Sequence, residues 1–283
     1  MSAVILDGKA LGLRIEAHLA ERVAALKNSG VEPHLAVVLA GNDPASQVYV
    51  RNKQRACERC GIKSTRIDLP NDVSQEQLMR VVANLNSDES VHGILVQSPT
   101  PNGTDELAIT ETIDPSKDVD GFTPNNVGKL FLGEDTLVSC TPKGIMQMLR
   151  ISGTDLSGKN VTVIGRSNIV GKPVSILCQS ENATVTMCHS RTKDLNHKLS
   201  DADVIIVAVG VPKFISGDQI PEGAVVIDVG IHNIDGKLYG DVDFESAKEK
   251  ASAITPVPGG VGPMTVCAPV SYTHLTLPTN REV

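Results

Sequence analysis

Between Asn160 and Pro173 the chain reads NVTVIGRSNIVGKP, a short apolar strand entering a glycine turn that opens directly into a helix. Gly165 ends the run Val161, Thr162, Val163, Ile164, and Gly171 falls where the next helix must lie close to the strand. Backbone N–H groups at such a helix start can face an anion, so the segment reads as a phosphate-binding turn. The spacing is not the usual G-x-G-x-x-G, and an ordinary tight turn of a parallel sheet is the competing reading. In NAD-specific folds a carboxylate about 20 residues beyond the glycines holds the ribose 2′-hydroxyl. Here ATVTMC (183–188) ends in His189, Ser190, Arg191 and Thr192, with no carboxylate. Arg166, Ser167, Ser190 and Arg191 suit a 2′-phosphate instead, which favours NADP over NAD.

A second group of residues lies earlier in the chain. Tyr49 and Lys53 are four apart on an expected helix and so share a face, with the ring one turn before the ammonium. Taken alone the pair says little, since a helical lysine is ordinarily a solvated charge. Gln97 closes the apolar strand HGILVQ, and strand carboxyl ends are where ligands bind in open α/β sheets. An edge amide satisfied by a loop is the plainer alternative. Asp118 and Asp120, in KDVDGF, place two carboxylates beside Gly121, and turn formation competes with any ligand role for them. Near the far end, TPVPGGVGPMT (255–265) can hardly be helix or strand, but it makes a stiff wall whose glycines let a flat ligand approach the backbone.

These residues must be held by a fold of sufficient size. With 283 residues, 41% of them hydrophobic, the chain can form one large domain or two of ordinary size, and two are expected. Net charge is −7, and no Lys/Arg run could track a phosphate backbone, which argues against a nucleic-acid partner. Apolar runs such as Val204–Val209 are strand-sized, well below the roughly 20 residues of a membrane helix. The N-terminal segment lacks the basic start and apolar block of a signal peptide, so a cytoplasmic protein is expected. Cys57 and Cys60 share an expected helix without histidines at ligand spacing, so burial is preferred to zinc. Cys188 and His189 are strand neighbours pointing to opposite faces, which argues against cysteine catalysis.

Hydrophobic periodicity predicts a helix over 9–29, a buried strand at 34–40, helix 45–60, strand 62–69, helix 74–86, strand 92–97 and a helical 104–112. That alternation is the rhythm of a parallel α/β sheet. Residues 113–142 break it, and a loop of that length is functional or lies between domains. Helix 143–150, strand 160–165, helix 171–180, strand 183–188, helix 194–199 and strands at 203–209, 224–229 and 252–254 follow. The expected architecture is therefore α/β with two domains: an N-terminal α/β catalytic domain and a C-terminal Rossmann-like domain for NADP, with a cleft between them.

Six segments in register, YVRNK (49–53), GILVQ (93–97), KDVDGF (117–122), CTPKG (140–144), GRSNIVGKP (165–173) and PVPGGVGPMT (256–265), resemble the bifunctional methylenetetrahydrofolate dehydrogenase/methenyltetrahydrofolate cyclohydrolase family, the FolD enzymes. The resemblance covers residues 3–267. It implies oxidation of 5,10-methylenetetrahydrofolate with NADP, then hydration of the methenyl cation to 10-formyltetrahydrofolate, in a homodimer of one-carbon metabolism serving purine biosynthesis. It further implies that Lys53 is the catalytic lysine, Tyr49 stacks on the folate, Gln97 hydrogen-bonds the lysine and Asp120 anchors the pterin. Gly165, Arg166 and Ser167 would hold the 2′-phosphate end of the cofactor, with Ser190 nearby and Ile231 giving backbone contacts. Pro258, Gly259 and Gly260 would line the folate side. Domains at 1–139, folate-binding and catalytic, and 140–267, NADP-binding, go with this.

Two departures stand out. The family usually has leucines where this chain has Ser98 and Thr100, which bears on substrate affinity. After Cys267 the family's apolar C-terminal helix is replaced by a non-family tail, 268–283, read as vector-derived, and lower stability than in the family is expected. The rival readings are another two-domain NADP dehydrogenase, shikimate dehydrogenase-like, and a folate and NADP binder without turnover.

Overall fold

The computed structural model describes residues 3–266 of the chain; the expected tail, 268–283, lies outside them. Two compact units are present, one of residues up to Gly12 together with Thr141–Thr265, the other running from Leu13 to Cys140 and joined by Val266.

The unit from Leu13 to Cys140 is built on a three-stranded parallel sheet in the order β3-β2-β4, with β2 His34–Ala40, β3 Lys63–Leu69 and β4 Gly93–Gln97. Every residue of β2 is buried, as expected for HLAVVLA in the middle of a parallel sheet covered on both faces. Helix α1 (Gly8–Asn28) enters this unit after Gly12 and packs Leu19 and Val23 on the core formed by Leu35, Val37, Leu39, Val50 and Cys57.

Helix α2 (Pro44–Cys60) starts where the Asp43 carboxylate accepts the Ser46 N–H at 2.7 Å, and Pro44 sits where no N–H is needed. It ends at Gly61, whose φ of 73° closes the last carbonyls. Helix α3 (Gln75–Ser87) has a reciprocal Ser74–Gln77 capping box, and α4 (Glu106–Thr112) is capped by Asp105. Cys57 and Cys60 lie in the core, and burial pushes both thiols up to about 12.

The expected loop at 113–142 contains a helix, α5 (Pro124–Leu132). Thr123-Pro124 at its start and Gly133 in the left-handed region at its end are ordinary boundary signals. The run of Asp, Asn and Gly around them hid a helix of only nine residues.

The other unit holds a six-stranded, all-parallel sheet in the order β1-β11-β8-β7-β5-β6. Its strands are β1 Val4–Ile5, β5 Asn160–Ile164, β6 Thr184–Cys188, β7 Val204–Val207, β8 Val225–Asp228 and β11 Ala253–Ile254. Helices α6 (Cys140–Ile151), α7 (Gly171–Ser180) and α8 (Leu195–Leu199) alternate with them. An antiparallel hairpin, β9 (His232–Ile234) with β10 (Lys237–Tyr239), and a short α9 (Phe244–Ala247) complete it; their brevity left no periodicity to read.

The expected start of the first domain differs here. β1 pairs with β11, so residues 3–12 go with the nucleotide-type unit, because a two-residue strand carries no pattern that announces its partner. The other boundary falls at Cys140/Thr141, one residue from that expected. Among the described residues no helix is long and apolar enough to cross a membrane.

Candidate functional site

In the Leu13–Cys140 unit, Lys53 lies on the inner face of α2, only 6% exposed. Its Nζ donates to Gln97 Oε1 at 3.3 Å. Gln97 closes β4, the strand beside β2, so its side chain leaves the sheet at the carboxyl end. The Gln97 amide donates to the Ser98 carbonyl at 2.8 Å, which the Ser46 hydroxyl also approaches at 3.3 Å. Tyr49 stands one turn before Lys53 with 38% of its surface exposed, open to a ligand rather than spent in the core.

The two aspartates of KDVDGF part company. Asp118 is buried and accepts from Gly121 N at 2.9 Å, Thr123 N at 2.8 Å and Asn126 Nδ2 at 3.0 Å, so it organises the loop, as the turn reading supposed. Lys117 fastens the same loop by donating to the carbonyls of Leu85, Asn86 and Asp88 at the end of α3. Gly121 has φ +66° and a Cβ there would stand 2.6 Å from the Val138 carbonyl carbon, so no other residue fits the turn.

Asp120, half-buried, accepts a long contact from the Cys140 thiol at 3.6 Å. Burial raises its carboxyl above the usual carboxylate range, and the nearby Lys53 charge works against that rise. Lys53, Gln97 and Asp120 are thus positioned by a helix, a strand end and a pinned loop of one unit. The hydroxyls that replace the expected leucines are engaged: Ser98 Oγ donates to both oxygens of Glu106 at 2.9 Å, and Thr100 Oγ1 meets Thr104 Oγ1 at 2.7 Å.

In the other unit, β5 ends at the expected glycine turn. Gly165 has φ +126°, and a Cβ on it would come within 2.2 Å of the Ala208 oxygen; a Cβ on Gly171 would come within 2.2 Å of the Gly165 oxygen. Both glycines therefore let strand, turn and α7 close up. Ser167 Oγ accepts from Val170 N at 3.1 Å, which sets the turn.

Arg166, Ser190 and Arg191 are exposed, and their side chains have no hydrogen-bond or ion-pair partner among the described residues. The turn after β6 is held by His189 N donating to Thr192 Oγ1 and Arg191 N to His189 Nδ1. The next carboxylate downstream, Asp194, caps α8 through His197 N at 3.3 Å. A cationic, carboxylate-free edge beside a glycine cradle fits a phosphorylated ribose.

Ile231 follows β8 and is 46% exposed. Its turn rests on a buried acid pair that sequence reasoning missed. Asp228 accepts from Gly230 N (3.0 Å), Asp241 N (2.8 Å) and Val242 N (3.0 Å). Asp241 accepts from Val209 N (2.7 Å), Gly210 N (2.9 Å) and His232 Nε2 (2.7 Å). Burial pushes Asp228 up to about 6, Asp241's charge adds to this, and the three N–H donors oppose it. Nothing in the spacing of residues 228 and 241 signals the pair, because it depends on which strand ends become neighbours.

Pro258, Gly259 and Gly260 form a turn in this same unit, against the start of α1: Lys9 N donates to Gly259 O at 3.1 Å, and a Cβ on Gly8 would strike Gly260 O.

Comparison with known proteins shows the family. The family model for the tetrahydrofolate dehydrogenase/cyclohydrolase catalytic domain matches residues 6–120, and that for the NAD(P)-binding domain matches 139–277. A relative from Halalkalibacterium halodurans named bifunctional protein FolD is 56% identical over 266 residues, 94% of this chain and 95% of its own. The crystal structure of the bifunctional FolD enzyme from Campylobacter jejuni superposes with a TM-score of 0.96 at 47% identity, covering 97% of this chain and 98% of that one. A Trypanosoma brucei methylenetetrahydrofolate dehydrogenase-cyclohydrolase, solved with NADP cofactor and an inhibitor, gives 0.93 at 40% identity, covering 98% and 97%.

Proposed function

Because the chain belongs to the tetrahydrofolate dehydrogenase/cyclohydrolase family, we propose that it oxidises 5,10-methylenetetrahydrofolate with NADP and hydrolyses the methenyl product to 10-formyltetrahydrofolate. The observation that carries this reading is Lys53, buried on α2 and hydrogen-bonded to the strand-end amide of Gln97. A buried amine hydrogen-bonded to a neutral amide is placed to handle a proton, whereas a salt-bridged surface lysine is not.

In this reading Lys53 moves protons around the water that attacks the methenyl carbon, and Gln97 orients the lysine. Tyr49 offers its exposed ring to the flat folate. Asp120 accepts the paired N–H groups of the pterin edge, a geometry a carboxylate matches well. Pro258, Gly259 and Gly260 give the substrate a stiff backbone surface.

NADP, when bound, supplies the hydride acceptor, so the protein's task is positioning. Gly165 and Ser167 shape the anion cradle, Arg166 and Ser190 meet the 2′-phosphate, and Ile231 contributes backbone contacts. We assign folate binding and catalysis to the Leu13–Cys140 unit and NADP binding to the unit of Thr141–Thr265. We place the protein in the cytoplasm, as a homodimer through its nucleotide-binding unit, serving purine biosynthesis.

The test is a spectrophotometric assay with 5,10-methylenetetrahydrofolate and NADP or NAD, then with methenyltetrahydrofolate alone. Turnover in both steps with NADP preferred is expected; binding without turnover would leave only a folate and nucleotide binder. Lys53→Met should abolish hydrolysis of the methenyl compound and leave NADP affinity nearly unchanged. Retained hydrolysis in that variant removes Lys53 from its role.

A further inference from the structure

The Gln97 amide makes two contacts of opposite demand. An ammonium only donates and a backbone carbonyl only accepts, so Lys53 Nζ must meet Oε1 while Nε2 meets the Ser98 carbonyl. Turning the amide over would oppose donor to donor at Lys53 and acceptor to acceptor at Ser98. The position of the Ser98 carbonyl therefore decides which face of Gln97 the lysine sees.

That carbonyl belongs to a turn gripped from outside by one side chain. Glu106, the first residue of α4, accepts from Ser98 Oγ through both carboxylate oxygens at 2.9 Å and from Thr100 N at 2.8 Å. α4 is itself fixed at this end. Asp105 Oδ1 caps Leu107 N and Ala108 N, and Asp105 N donates to Gln75 Oε1 at the start of α3. Thr104 closes the intervening residues by donating to Pro101 O at 2.7 Å while meeting the Thr100 hydroxyl.

We propose that Glu106 is a positioning residue for the hydrolytic step: by pinning residues 98 and 100 it holds the Ser98 carbonyl where it orients Gln97, and through Gln97 it sets Lys53. Glu106 touches neither the lysine nor the amide. Its influence reaches Gln97 through the turn of residues 98–100, so it should be felt at the rate and not at cofactor binding. Ser98 and Thr100 are then parts of the same device, their hydroxyl and N–H serving the carboxylate.

The proposal rests on the hydrolase reading above, and hydrolysis of methenyltetrahydrofolate by the unaltered protein is the control that separates the two. No turnover there overturns the reading itself. With turnover established, Glu106→Ala should lower kcat for hydrolysis by roughly three- to tenfold, the scale of one lost orienting hydrogen bond, with KM for NADP in the dehydrogenase assay unchanged. Glu106→Gln keeps an acceptor for Thr100 N–H and should recover most of the loss. In a Gln97→Ala background the Glu106 effect should vanish, because the link it works through is gone.

An unchanged kcat in Glu106→Ala overturns the role, and so does a loss of equal size with and without Gln97, or a parallel change in KM for NADP. If Glu106→Ala does not fold, Ser98→Ala removes the hydroxyl while leaving the carbonyl in the chain. It should lower kcat in the Gln97 background and not in Gln97→Ala.

Discussion

Replacing Asp228 by asparagine tests whether burial or hydrogen bonding governs the acid pair beneath the Ile231 turn. In the folded protein the Asp228 carboxyl is pushed from 3.8 to about 6. At ~1.4 kcal/mol per pH unit, that rise amounts to about 3 kcal/mol between the two protonation states. The sign follows from linkage: the folded chain holds this proton more tightly than the unfolded one. Its contribution is therefore fully present below about pH 4 and is lost as pH rises through about 6.

Asparagine does not titrate, and its single acceptor oxygen cannot serve Gly230, Asp241 and Val242 as two carboxyl oxygens do. Leaving one buried N–H unmet costs about 1–3 kcal/mol at any pH. The variant should thus be the less stable protein at pH 4 by about 1–3 kcal/mol, and by pH 7 the difference should have moved about 3 kcal/mol in its favour, closing or reversing the gap. Urea unfolding of both proteins at pH 4, 5, 6 and 7 measures the gap, and contributions from all other groups largely cancel in the difference. A gap that stays constant or widens with pH would refute the reasoning, for it would mean that the three N–H donors keep Asp228 ionised despite its burial.

At the glycine cradle, Arg166→Ala should weaken NADP by roughly 10- to 100-fold, the scale of a lost charge-assisted hydrogen bond, and change NAD little; equal losses in cofactor titrations would contradict the 2′-phosphate assignment. Gly171→Ala would press a methyl group against the Gly165 carbonyl, at 2.2 Å in the present backbone, so the turn must open. A cost of about 1–3 kcal/mol should appear as a fall of several degrees in the thermal midpoint together with a raised KM for NADP, and a variant unchanged in both would show that the cradle is slack.

Much of the fold can be read from the chain because its parallel sheets leave plain signals. HLAVVLA is a strand by composition and stands buried as β2, and NVTVIG with Gly171 marks the strand, turn and helix that the structure shows. Short elements escape: Val4–Ile5 has two residues and α9 has four, too few for any period. Residues 3–12 consequently join a unit their neighbours in sequence do not. Pairings made by folding escape as well. The bond from Lys53 to Gln97 joins residues 44 apart, and only the adjacency of α2 with the β2–β4 pair makes it possible. Glu106 was invisible for the same reason: its partners Ser98 and Thr100 register in sequence as hydroxyls out of place rather than as ligands of a carboxylate.

The pair Asp118 and Asp120 shows where composition ends and geometry begins. Two residues apart in one turn, they carry the same chemistry, and Val119 between them enters the core. Asp118 is held against β4 through a bridge to Ile94, so its carboxylate is spent on Gly121, Thr123 and Asn126. Asp120 takes only the long Cys140 thiol contact among the described residues. A carboxylate without strong donors, partly buried and close enough to Lys53 to feel its charge, bears a desolvation cost that its own fold does not repay. A ligand presenting a pair of N–H groups would repay it, whereas Asp118 is buried and already accepts from three donors. The proposal of Asp120 rather than Asp118 as the pterin anchor then rests on which of two identical side chains the loop leaves unsatisfied.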